Sequence, residues 1–195
     1  MSSSPYRVSI QTEDAERGII SQRWARDVIR RALAAEQAPD GSRVEILIAG
    51  DETVSALNAE FMGQDGTTDV ISFPSGMVDS DDDDWPDVDG DSGGDIGQIV
   101  LSVPQIARQA ETAGMTLREE AAHVLVHATL HLLGHDHELD DDEATMRTRE
   151  DAILMELIGR PVHGTEPMAL SHTADSPVVD ALEQGVVETV SGRTP

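Results

Sequence analysis

The chain contains no cysteine, which removes disulfides, thiolate metal sites and cysteine nucleophiles together. Any transition metal it binds must therefore sit on histidine or carboxylate. Lysine is absent too: all 13 basic residues are arginine, set against 38 acidic residues for a formal net charge of -25. A surface this acidic repels itself at low ionic strength and is relieved when salt screens it, so the composition predicts a host cytoplasm rich in salt. No window approaches the apolar length of a membrane span, and the N-terminal MSSSPYRVSIQTED has no basic region followed by an apolar run. The expectation is a soluble, cytoplasmic protein with no membrane partner.

At 195 residues the chain is long enough for one domain with a proper core and short for two. Alternation predicts strands over 7–11 and 44–48, a third at 68–73 closed by Pro74, and a fourth over 96–102. Helical spacing predicts an amphipathic helix over 19–35, with Arg23, Arg26, Arg30 and Arg31 mostly off its apolar face. That stripe reads first as a solvated face and second as a contact for RNA phosphate. A further helix, with Asp51 as N-cap, ends near Gly63, and another starts at Pro104 and runs to about Ala113. A last helix from about Glu143 to Ile158 is expected behind a cap formed by Asp140 to Asp142.

Residues 75–94 hold eight aspartates among Ser and Gly, with almost nothing to bury, and read as an acidic loop insertion. Asp87, Asp89 and Asp91 imitate the start of a calcium-binding EF-hand loop, but Ser92 and Gln98 stand where its glycine and closing glutamate belong. The expected organisation is one domain over 1–160 and a disordered C-terminal tail over 161–195.

Residues 116–138, TLREEAAHVLVHATLHLLGHDHE, hold five of the seven histidines. Thr116 and Glu119 form a capping box that starts a helix. Its apolar residues cover nearly the whole circumference, which predicts the buried centre of the domain. His127 and His131 lie one turn apart on one face, and Gly134 ends the helix in a conformation that lets the chain reverse and return His137 toward them. Zinc on His127, His131 and His137 is the expected site, one ion per chain, with the fourth tetrahedral position open as in catalytic zinc sites. The alternative set His123, His127 and His131 spreads over more than two turns of helix, too far for one ion. His123 is left as a packing or supporting residue. In H-E-x-x-H peptidases a glutamate follows the first histidine, but here that place is Ala128. Asp136, the carboxylate nearest the ligands in sequence, is a weak candidate for the missing proton carrier, or else orients a histidine.

The segment HATLHLLGHDH, with TTDVISFP upstream and the DIGQIVLS strand, closely resembles the YbeY family of bacterial rRNA maturation factors, over roughly residues 40–160. The resemblance implies an α+β fold, a single domain whose mixed four-stranded sheet packs with helices around a central metal-binding helix. It also implies a zinc-dependent single-strand endoribonuclease acting in 16S rRNA 3′-end maturation and ribosome quality control. The expected partners are rRNA and the small ribosomal subunit, with DNA not expected. Two other readings stay open: a non-catalytic ribosome assembly factor with a structural zinc, and a zinc hydrolase of another substrate. The chain departs from the family at Met62, where many members carry an arginine, and in its acidity, which repels phosphate. Arg108 and Arg118 are the candidates for a local basic cleft.

Overall fold

The computed structural model describes residues 4–75, 94–135 and 140–162. Four strands, β1 (Arg7–Thr12), β2 (Arg43–Ala49), β3 (Val70–Pro74) and β4 (Asp95–Ser102), form one sheet in the order β1-β2-β4-β3. β1, β2 and β4 run parallel, and β3 pairs antiparallel with β4. Five α-helices accompany them among the described residues: α1 (Gln22–Ala35), α2 (Asp51–Met62), α3 (Val103–Ala113), α4 (Leu117–Leu132) and α5 (Asp140–Ile158). The result is the expected mixed α+β domain. Among the described residues no helix is long and apolar enough to cross a membrane.

Strand side chains alternate between the faces of the sheet, and the two faces carry different loads. Val44, Ile46, Ile48, Ile99 and Leu101 point into the main core with α1, α3, α4 and α5. Ala49, Ile71 and Val100 point the other way and meet Val54 of α2, with Leu57, Met62 and Phe73 at the margin. Met62 is thus partly buried apolar packing at the end of α2. On this second face an open cavity of about 380 Å³ lies beside Leu47, Leu57, Phe61 and Phe73.

α4 is the element on which the others close. It packs against α1, α3, α5, β3 and β4, and 11 of its 16 residues are buried. Leu125 and Leu130 are wholly inaccessible, each contributing about 2 kcal/mol of burial. The expected capping box is present: the Thr116 hydroxyl accepts from the Glu119 amide at 3.2 Å, and the Glu119 carboxylate accepts from the Thr116 amide at 2.8 Å.

Several boundaries differ from the sequence reading for local reasons. α1 starts at Gln22 because Ser21 is its N-cap. β3 starts at Val70, whose amide donates to the Asp69 carboxylate at 2.9 Å. Gly50, not Asp51, caps α2, since the Asp51 carboxylate is taken by Ser102 at 2.6 Å and Arg108 at 2.8 Å. The aspartates at 140–142 lie within α5 and do not precede it. The arginine stripe of α1 has a third role. Arg26 and Arg30 donate through Nε to the backbone carbonyls of Val8 at 3.0 Å and Tyr6 at 3.3 Å, covering the open edge of β1 that would otherwise invite another strand. The acidic stretch 76–93 and the tail 163–195 lie outside the described residues.

Candidate metal centre

His127 and His131 project from the last two turns of α4 with Nε2 atoms 3.0 Å apart and ring planes at 78°. Two nitrogens at 2.0–2.1 Å from a tetrahedral zinc stand about 3.3 Å apart, so the pair fits two corners of such a site with a shift of a few tenths of an ångström. The same separation is a hydrogen-bond length, and the pair is satisfied in that way as it stands.

The other nitrogen of His127 carries more information. Its Nδ1 lies 2.6 Å from Oε1 of Glu150 on α5, whose side chain is 2% exposed. A buried carboxylate there fixes the proton on Nδ1 and leaves the Nε2 lone pair aimed at the place where the His131 nitrogen converges, the arrangement that commonly supports a metal-bound histidine. Glu150 was missed in the sequence, yet a signal was present. Met146, Glu150, Ile153 and Leu154 form one stripe, all buried, so a carboxylate occupies a core position of an otherwise amphipathic helix.

Gly134 has the expected left-handed conformation at φ 84. The amides of Gly134 and His135 close the helix end on the carbonyls of His131 at 3.0 Å and Leu130 at 3.1 Å, the double bond of a Schellman turn. His137 and Asp136 lie outside the described residues. Among the described residues no group of three or more His, Asp or Glu side chains is arranged to hold a metal ion. The donor chemistry present among the described residues, two imidazoles with one backed by a carboxylate, suits two of the four ligand positions of a zinc ion.

His123 is buried, as expected of a packing residue, with its ring centroid 6.3 Å from that of His127. One turn before it, Glu120 is also buried and lies 4.0 Å from His123. Burial, with the negative charge of Asp69 adding to it, pushes the Glu120 carboxyl up to about 7. At the same end of the sheet, where Ser102 bonds both the Asp69 carbonyl and the Asp51 carboxylate, the hydrogen bond from Arg108 holds Asp51 below the usual carboxylate range, and Ser102 contributes in the same direction. The expectation of a basic cleft from Arg108 and Arg118 is not met. Arg108 is ion-paired with Asp51, and Arg118 lies over the Trp24 ring at 5.0 Å, where it fastens α4 to α1.

Comparison with known proteins places this geometry in context. The sequence model of a family described as Endoribonuclease YbeY matches residues 8–158. An Endoribonuclease YbeY of Chloroflexus aurantiacus is 42% identical over 130 residues, covering 66% of this chain and 81% of the relative. One from Geobacillus thermodenitrificans is 34% identical over 132 residues, covering 65% and 80%. One from Paramagnetospirillum magneticum is 39% identical over 127 residues, covering 65% and 74%. A solution structure from Thermotoga maritima has a TM-score of 0.51 at 22% identity, over 78% of this chain and 89% of that one, and shows the same fold.

Proposed function

Because this chain belongs to the YbeY endoribonuclease family, we propose that it is a zinc-dependent endoribonuclease of single-stranded RNA. We assign it to 16S rRNA 3′-end maturation and ribosome quality control in the cytoplasm, with rRNA and the small ribosomal subunit as partners. The observation that carries the metal part of this reading is the Glu150–His127–His131 line: a buried carboxylate at 2.6 Å on Nδ1 and two Nε2 atoms 3.0 Å apart.

His127 and His131 would hold the ion, and His137, three residues beyond the Gly134 turn, is the proposed third ligand. Bound there, zinc supplies Lewis acidity toward a phosphodiester oxygen and makes water a stronger acid. The chain's own residues do the rest. Glu150 keeps the His127 proton on Nδ1, so Nε2 remains a donor of its lone pair. The Schellman turn at Gly134 reverses the backbone immediately after His131. Ala128 leaves no glutamate beside the first histidine, which separates the site from the H-E-x-x-H peptidases.

The test is cleavage of a single-stranded RNA carrying the 3′ end of 16S rRNA by the purified full chain, with zinc and after chelation. Zinc-dependent cleavage that His131→Ala abolishes is expected. Zinc-independent or absent cleavage by the folded protein overturns the proposal.

A further inference from the structure

α1 holds four arginines, Arg23, Arg26, Arg30 and Arg31, against one acidic residue, Asp27, in a chain with 38 acidic residues and 13 basic ones. With acids in such excess an arginine on this surface should find a carboxylate. Elsewhere it does: Arg17, Arg108, Arg147, Arg149 and Arg160 each form an ion pair. Among the described residues, none of the α1 arginines forms one.

At about 100° per residue, Arg23, Arg26 and Arg30 fall within about 60° of the helix circumference, on the strip that runs along the edge of β1. Arg26 and Arg30 are seated there through Nε, on the carbonyls of Val8 at 3.0 Å and Tyr6 at 3.3 Å. Four helical residues rise about 6 Å and two strand residues about 6.6 Å, so successive arginines meet alternate carbonyls of β1. Each seat uses one N–H of the guanidinium. The four Nη–H donors of each meet no protein acceptor among the described residues, while both side chains are half-buried and Arg23 is exposed. One turn earlier on the same strip, Gln22 reaches β1 without a charge, its Nε2 donating to the Thr12 hydroxyl at 2.9 Å. A neutral side chain thus serves on this edge, and edge cover alone leaves the charge of the strip without a use.

We infer that Arg23, Arg26 and Arg30 form a track for the phosphates of single-stranded RNA along the outer edge of α1 and β1, apart from the metal centre. The inference rests on the reading of the protein as an RNA-cleaving enzyme. A planar guanidinium fork is suited to a phosphate, and one already held by its Nε loses less freedom when the phosphate arrives. The acidic surface repels a polyanion at long range, but that repulsion is screened beyond about 10 Å at 0.1 M salt, so a strip whose arginines are not neutralised by carboxylates is where phosphate can approach. The strip also has a direction. Glu36, which closes α1, accepts from His135 Nε2 at 3.0 Å and from Arg149 Nη1 at 2.6 Å, so the C-terminal end of α1 and the His131 end of α4 lie at one end of the domain. The track points toward that end.

The experiment is the binding of a fluorescent single-stranded RNA oligonucleotide to the full chain, read by anisotropy across a potassium chloride series with a chelator present, so that cleavage does not contribute. Each phosphate contact adds about 0.7 to the slope of log affinity against log salt on a single strand. Arg23→Gln touches no edge bond and should lower the slope by about 0.7, which is about a fivefold loss at 0.1 M for proteins that bind alike at 1 M. The triple variant with Arg26→Gln and Arg30→Gln should lose about a hundredfold by the same arithmetic. Unchanged affinity and slope in the triple variant, even where it self-associates through the uncovered edge, reduces the strip to edge cover and overturns the inference while leaving the endoribonuclease reading standing. Displacement of the RNA by poly-glutamate of matched charge at equal affinity assigns the strip to acidic polypeptides and also overturns it. A folded wild-type chain that binds no single-stranded RNA at any salt overturns both readings.

Discussion

Glu150 Oε1 and His127 Nδ1 meet at 2.6 Å across 23 positions of sequence, with the carboxylate almost wholly buried. A charged group is placed in a core only against compensation, and part of that compensation here is an imidazole whose far nitrogen faces a second one. The relationship ties α5 to His127 of α4 and gives α5 a part in the candidate site.

Replacing that carboxylate tests the tie. Glu150→Gln should weaken zinc binding ten- to a hundredfold, the range found for residues that orient metal ligands, while His127 and His131 remain in place. Chelator competition reads the effect directly, and an affinity equal to wild type would show that the His127 ring is oriented by packing alone.

A second prediction concerns Gly97, which lies in β4 at φ 138. A Cβ there would stand 2.3 Å from the Phe73 carbonyl oxygen and 2.8 Å from Leu132 Cδ2 at the end of α4. Backbone oxygen cannot step aside as a side chain does, and the φ itself disfavours an L residue. Gly97→Ala is expected to cost about 3 kcal/mol or more, visible as a shifted urea midpoint. A cost under about 1 kcal/mol would mean that β3 and the end of α4 move away from β4 easily.

Glu120 provides a pH signature. Its folded pKa is raised, through burial first and Asp69 second, to about 7, above the unfolded value. A raised folded pKa means that the folded state binds the proton more tightly, so this stability is fully present below the unfolded pKa and is lost as pH rises through about 7. Glu120→Gln should therefore melt less pH-dependently than wild type between pH 5 and 8, gaining on the order of 1–2 kcal/mol relative to it at the alkaline end. Parallel melting curves for the two proteins across that range would contradict a raised carboxyl pKa at Glu120.

The net charge of -25 leads to a salt prediction. Self-repulsion is long-range and screened, with a Debye length of about 10 Å at 0.1 M and about 3 Å at 1 M. The melting temperature should climb as potassium chloride is raised from 0.05 to 1 M, and most steeply at the low end. A flat or falling series would remove the argument for a salt-rich host.

Much of this protein was determined locally and could be read without coordinates. The capping box at Thr116 and Glu119, the turn at Gly134 and the alternation in the strands depend on neighbours within a few residues, and each stands where the spacing placed it. The pairing of His127 with His131 is of the same kind, since any α-helix brings residues four apart onto one face. So is the burial of α4, which follows from apolar residues around its whole circumference.

What the tertiary structure decided is which distant groups complete those local patterns. Asp51 became an acceptor for Ser102 and Arg108 and lost its place as a helix cap. Arg26 and Arg30 turned to the edge of β1, and Arg118 to the Trp24 ring. Glu150 and Glu36 acquired their meaning only when α5 and α1 came to lie against α4. Burying a carboxylate is costly unless a partner is within hydrogen-bond reach, and a partner from another element has no fixed spacing in the chain. Periodicity can show that Glu150 falls on a core stripe, but only the packing of α5 on α4 determines that it faces His127.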